Sequence, residues 1–149
     1  MNNTPYGLYA NSVPQVNTER RSVLSKLFIF LSMIFLHIVD DYYLQGWLAN
    51  AKQKAWWEQK APSKLYRYDY IWALIMHSFS WAFMTMLPVA VYLRFRVSFW
   101  FAAVLALNLI IHAVVDHLKA NAKVINLWTD QMIHLGQILG TFLFFIYGS

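Results

Sequence analysis

Residues 97–118 read VSFWFAAVLALNLIIHAVVDHL, and this stretch decides the fold. As a helix, 22 residues rise about 33 Å at 1.5 Å per residue, enough to cross a hydrocarbon layer of roughly 30 Å. Only its far end is ionisable, where His112 and Asp116 stand four residues apart. A spanning segment must satisfy its own backbone hydrogen bonds, so a helix is the natural reading.

Working outward, residues 24–45, 70–93 and 128–147 are apolar runs of similar length. The expected fold is therefore all-α, a four-transmembrane-helix bundle. Residues 1–22, polar and without helical period, read as a flexible tail preceding a membrane domain over 23–149. Pro88 lies deep in the second run and predicts a kink there. The turn Arg94-Phe95-Arg96 is tight. The longer segment 46–69 carries Trp47, Trp56, Trp57, Tyr66 and Tyr68 among five basic residues. Amphipathic rings beside lysines are what a headgroup layer selects, which predicts a short interfacial helix here.

Composition agrees. Hydrophobic residues make up 59% of the 149 and charged residues 13%, against about 25% charged in soluble domains. That is too little polar surface to cover a core of this size. The net charge of +5 comes from short basic runs between apolar blocks. This suits anionic lipid headgroups, and no nucleic-acid partner is expected. With no cysteine, any metal must take nitrogen and oxygen ligands.

The polar residues inside the runs carry the chemistry. His37 and Asp41 are four apart, as are His112 and Asp116, and Asp130 and His134 in reversed order. Residues four apart on a helix share a face. Because the fourth run travels opposite to the first and third, the reversal brings each aspartate nearer the first and third loops and each histidine one turn deeper. His77 in the second run reaches a similar depth.

A charged aspartate at mid-bilayer costs roughly 2.5–3.5 kcal/mol, so three of them call for partners. A cation, held by His37, Asp41, His77, His112, Asp116, Asp130 and His134, is the expected one. A purely structural polar network is the competing account. Seven donors exceed one tetrahedral zinc, so either some orient the others or two ions bind. Zinc suits this donor set best, with manganese or iron as alternatives. Haem needs no aspartate one turn from its histidines and fits less well. The only glutamates, Glu19 and Glu58, lie outside the runs, so no HExxH motif exists.

Two further polar residues take the blander reading. His117 sits about 100° round from Asp116 and reads as a helix-packing residue. Asp40 lacks the four-residue spacing to His37 and is expected to face headgroups or lysines.

The string His37-Ile-Val-Asp40-Asp41-Tyr-Tyr-Leu44-Gln45, then His77, His112-x-x-x-Asp116-x-x-Lys119 and Asp130-Gln131-x-x-His134, resembles the small bacterial and phage membrane family called domain of unknown function 3307. The resemblance spans all four runs and omits the tail and most of the first loop. Asp40 stands where that family usually has glycine, and Tyr42 where it has phenylalanine. Asp40 adds a charge to the site. The resemblance implies a multi-pass membrane protein, in the inner membrane if bacterial or phage-encoded, and brings no established activity.

The expected function is a metal-dependent hydrolase acting on a lipid or lipid-linked substrate through metal-activated water. Asp41, Asp116 and Asp130 are candidate catalytic carboxylates, one serving as general base. Lys119 is a candidate for holding a phosphate or developing anion, against a reading as a snorkelling lysine. Gln45 and Gln131 are candidate hydrogen-bond donors to substrate or carboxylates. The alternative is a metal-ion or proton carrier. Against it, the deeper halves around 27–36 and 139–147 are nearly all apolar, so a conduction path would have to end there. A third class is a protein that modifies host membrane machinery by binding a partner through its polar tail. A bundle this small is compatible with homo-oligomers, although no GxxxG pair is read in the runs.

Overall fold

Helix ends fall where the sequence supplies caps. Ser98 and Asn126 hold extended backbone, and their side chains accept from Phe101 N at 3.2 Å and Thr129 N at 2.9 Å. Each thereby satisfies one orphan N–H of the first turn. A computed structural model of the chain describes residues 15–148. Its long helices are α1 (Gln15–Ile38), α4 (Asp69–Tyr92), α5 (Phe99–Ala120) and α6 (Leu127–Tyr147). A wide π-helical turn, Val39–Leu44, extends α1. Two short helices, α2 (Leu48–Ala51) and α3 (Lys54–Lys60), and a 3-10 turn at Lys64–Tyr66 fill the segment before α4. The described residues contain no strand.

The expected tail is shorter than its polar composition suggests. Residues 15–22 join α1 as its first turns, and residues 1–14 lie outside the described residues. α4 runs on through Pro88. The turn to α5 is tight because Arg94 and Phe95 both take left-handed backbone, with φ of 53° and 57°. That geometry costs roughly 1–2 kcal/mol per residue without glycine. It closes with Phe95 N–H donating to Ala90 O at 2.8 Å.

Three helices are long and apolar enough to cross a membrane: Glu19–Leu44, Lys64–Tyr92 and Phe99–Ala120. α6 has comparable length, but Asp130, Gln131, His134 and Gln137 crowd its first half and dilute its apolar character. α1 packs on α4 and α6, and α5 packs on α4 and α6, closing a ring of four. Half of the interior is apolar, built on Met33, Trp81, Met86, Val89, Ile138 and Phe142. The other half is polar.

The outside inverts the usual pattern. Phe28, Phe35, Trp72, Phe99, Trp100 and Ile110 are more than half exposed, whereas His37, Asp40, His77, His112, Asp116, Asp130 and His134 are buried. Scattered exposed apolar residues are ordinary, but an apolar outside around a charged inside fits lipid surroundings.

α6 also corrects one reading of the sequence. Gly136 and Gly140 form a GxxxG pair, and a methyl group at either would meet no atom within 4 Å. The pair faces outward, where a close helix partner would fit.

Candidate metal centre

The four-residue pairs form as expected. His37 Nδ1 lies 3.7 Å from Asp41 Oδ2, His112 Nε2 3.8 Å from Asp116 Oδ2, and His134 Nε2 3.5 Å from Asp130 Oδ1. His77 stands between them, its Nε2 at 3.3 Å from both Asp41 Oδ1 and Asp116 Oδ2 and at 3.1 Å from His112 Nε2. The His112 ring stacks on His134 at 4.1 Å and on Trp81 at 4.3 Å. One layer of the bundle therefore holds side chains from all four long helices.

Buried His and Asp groups here could hold a metal ion. Two sets offer ligand atoms within 4.8 Å of one another: Asp41, His77 and His112, and His112, Asp116 and His134. His112 belongs to both, so the layer is one continuous donor field rather than two separate sites. His37 and Asp130 fall outside both sets.

The tautomers follow from fixed donors and acceptors. Trp81 Nε1–H donates to His37 Nδ1 at 2.6 Å, so His37 carries its proton on Nε2 and donates to Gln131 Oε1 at 3.0 Å. Both nitrogens are then engaged in hydrogen bonds, whereas the two donor sets are built without His37. Trp81→Phe leaves Nδ1 buried without its donor and should lower stability by about 1–3 kcal/mol. Thermal unfolding in detergent measures it, and an unchanged midpoint would show the bond to be dispensable.

His134 is arranged in the opposite sense. Gln137 commits its amide to donating towards Asn108 O at 3.2 Å, which leaves Gln137 Oε1 to accept from His134 Nδ1 at 3.1 Å. The Nε2 lone pair consequently points at Asp130 Oδ1, 3.5 Å away, and Asp116 Oδ1, 3.8 Å away. All three atoms are buried and without a hydrogen-bond partner. Three acceptors facing each other with no donor between them are costly unless a cation or a proton intervenes.

Asp40 differs from its expectation. It is buried, accepts from Ser80 Oγ at 2.5 Å, and lies 3.8 Å from His77 Nδ1. The π-helical turn explains this, because its wider winding turns both adjacent aspartates inward. Asp40 and Asp41 then flank the two nitrogens of one imidazole, the carboxylate–histidine arrangement that orients metal ligands.

Lys52 was also missed, since its position in an interfacial loop suggested solvent. α2 folds under the bundle and buries Lys52 against Asp116 Oδ2 at 2.5 Å. Lys119 pairs with Asp130 Oδ2 at 2.6 Å and lies 3.8 Å from Asp116 Oδ1, so it is held by carboxylates rather than extended outward. Gln131 Nε2 reaches Asp130 Oδ2 at 3.0 Å, and Gln45 donates to Asp41. His117 packs its ring on Tyr70, in line with its expected role.

The charges decide what the layer can hold. Asp40, Asp41, Asp116 and Asp130 oppose only Lys52 and Lys119. With neutral imidazoles, the four carboxylates exceed the two ammonium groups by two charges. Comparison of the chain with family models, curated proteins and solved structures gives no match.

Proposed function

We propose that the chain is a multi-pass membrane protein whose four long helices all cross the bilayer, and that it is a metal-dependent hydrolase of a lipid or lipid-linked substrate. The observation that carries this is the trio of unpartnered buried acceptors, His134 Nε2, Asp116 Oδ1 and Asp130 Oδ1. Beside them, His112 and His77 add imidazole nitrogens. Mixed imidazole and carboxylate donors without thiolate suit zinc, manganese or iron.

Such an ion would supply Lewis acidity and lower the pKa of a bound water to about 7. The chain's own groups do the rest. Asp41 lines the cavity above the layer and is positioned to take a proton from water. Lys119, one-quarter exposed towards the same cavity, can balance a developing anion. For a phosphoester, the hydroxyl of water bonds to phosphorus, the phosphorus–oxygen bond to the lipid alcohol breaks, and that oxygen takes the proton held by Asp41.

Transport of an ion or proton is the second reading. Beyond the layer lie Met33, Met86 and Ile138, each essentially fully buried. This apolar plug favours a site open to one side, which suits hydrolysis better than conduction. Elemental analysis of purified wild type beside Asp116→Asn tests the proposal. Near-stoichiometric metal in the wild type, lost in the variant, is expected. Metal-free wild type, prepared without chelator, would leave a structural polar network in its place.

A further inference from the structure

We infer that the site takes a phosphate-bearing lipid with a small headgroup, its phosphate among Lys52, Lys119 and Lys123 and its chain leaving sideways between α1 and α6. Two cavities carry this. One, of about 510 Å³, opens over the metal layer and is lined by those three lysines together with Asp41, Gln45 and Gln131. The other, of about 470 Å³, is lined by His37, Ile38, Tyr42, Tyr43, Gln131 and Leu135. Tyr42 and Gln131 belong to both, so the chambers adjoin.

Their chemistry differs in the way an amphiphile does. The first offers three ammonium groups and three side-chain amides, of Gln45, Gln53 and Gln131, to one carboxylate, a donor-rich setting for an anion. Lys52 and Lys119 are already tied to Asp116 and Asp130. Lys123 stands exposed at the rim, on left-handed backbone with φ of 55°. The second chamber sits in the outer wall of the bundle, where Ile38 and Tyr43 are exposed. A water-soluble phosphate compound has no use for that lateral opening. A chamber of this size fits a compact headgroup.

The inference rests on the hydrolase reading for its chemistry, but its binding is measured without metal or turnover. The probes are short-chain phosphatidic acid, diacylglycerol with the same chains, and inorganic phosphate, titrated into the detergent-purified full chain. Wild type should bind phosphatidic acid in preference to the other two. Lys123→Glu should weaken it about thirtyfold, since each lysine at such a surface is worth about 1 kcal/mol and reversal doubles the change. Leu135→Trp and Ile38→Trp, which fill the lateral chamber from opposite walls, should weaken it comparably. Lys26→Glu, midway along α1 and lining neither chamber, should not.

Equal binding across the variants would overturn the inference, as would diacylglycerol binding as tightly as phosphatidic acid. Inorganic phosphate binding equally well, with both tryptophan variants silent, would assign the pocket to a free anion. Metal content is read on the same preparations. Metal-free wild type that still binds phosphatidic acid in the expected pattern would overturn the hydrolase reading and uphold the lipid site.

Discussion

His134→Ala is expected to abolish tight zinc binding, and Gln137→Leu to weaken it by about 10–100-fold, the usual range for a partner that orients a ligand. The two effects have different origins. Alanine removes the Nε2 lone pair that faces Asp116 Oδ1 and Asp130 Oδ1. Leucine leaves that lone pair in place but removes the acceptor that keeps the proton on Nδ1. The imidazole is then free to place its proton on Nε2, where two unpartnered carboxylate oxygens would accept it.

A zinc titration of the chelator-treated protein measures both. Thermal unfolding of the same samples separates ligand loss from misfolding. His134→Ala binding zinc as tightly as the wild type would remove the layer as a metal site. Wild-type affinity in Gln137→Leu, with His134→Ala inactive, would keep the site and discard the tautomer lock. Asn108 belongs to the same chain of bonds, since its amide donates to Thr141 Oγ1 at 2.8 Å while its backbone oxygen holds Gln137.

Much of this was legible in the sequence, because helical period and depth are properties of spacing alone. Reversing the order of Asp130 and His134 was enough to place three pairs at one level. Their separations of 3.5–3.8 Å are those that residues four apart on a helix can reach.

What remained hidden depends on departures from regular helix or on contacts distant in sequence. Asp40 lies inside, on a stretch, Val39–Leu44, that winds as a π-helix, and nothing in its spacing announces that. Lys52 reaches Asp116 from 64 residues away, after α2 folds beneath the bundle. His37 looked equivalent to the other histidines. It differs in one bond, from the indole of Trp81, and Trp81 reads in sequence as another apolar residue. A part of the aromatic first loop was expected to lie on the headgroup layer. Part of it, through Lys52 and the indole of Trp57 donating to Ala51 O at 2.7 Å, closes the floor of the site instead.

Lys52→Met carries a prediction in which stability and metal affinity move in opposite directions. In the metal-free protein the Lys52–Asp116 pair is almost entirely buried, 6% and 1% exposed at the side chains, with a contact of 2.5 Å. Removing one partner of a buried pair costs about 3–5 kcal/mol, because the other charge stays behind without compensation. The metal-free variant should therefore unfold at markedly lower denaturant concentration, followed through the fluorescence of the seven tryptophans.

The same substitution removes one of only two ammonium groups in the layer, raising its excess negative charge from two to three. A divalent cation is then attracted more strongly, and zinc should bind more tightly and recover much of the lost stability, as any ligand that binds only the folded state does. A purely structural salt bridge predicts the first effect and not the second. If zinc affinity is unchanged or weaker in Lys52→Met while the metal-free protein is destabilised, the layer is a polar network in which Lys52 already serves as the counter-ion. Tighter zinc with restored stability would identify the lysine as the charge that moderates a cation site.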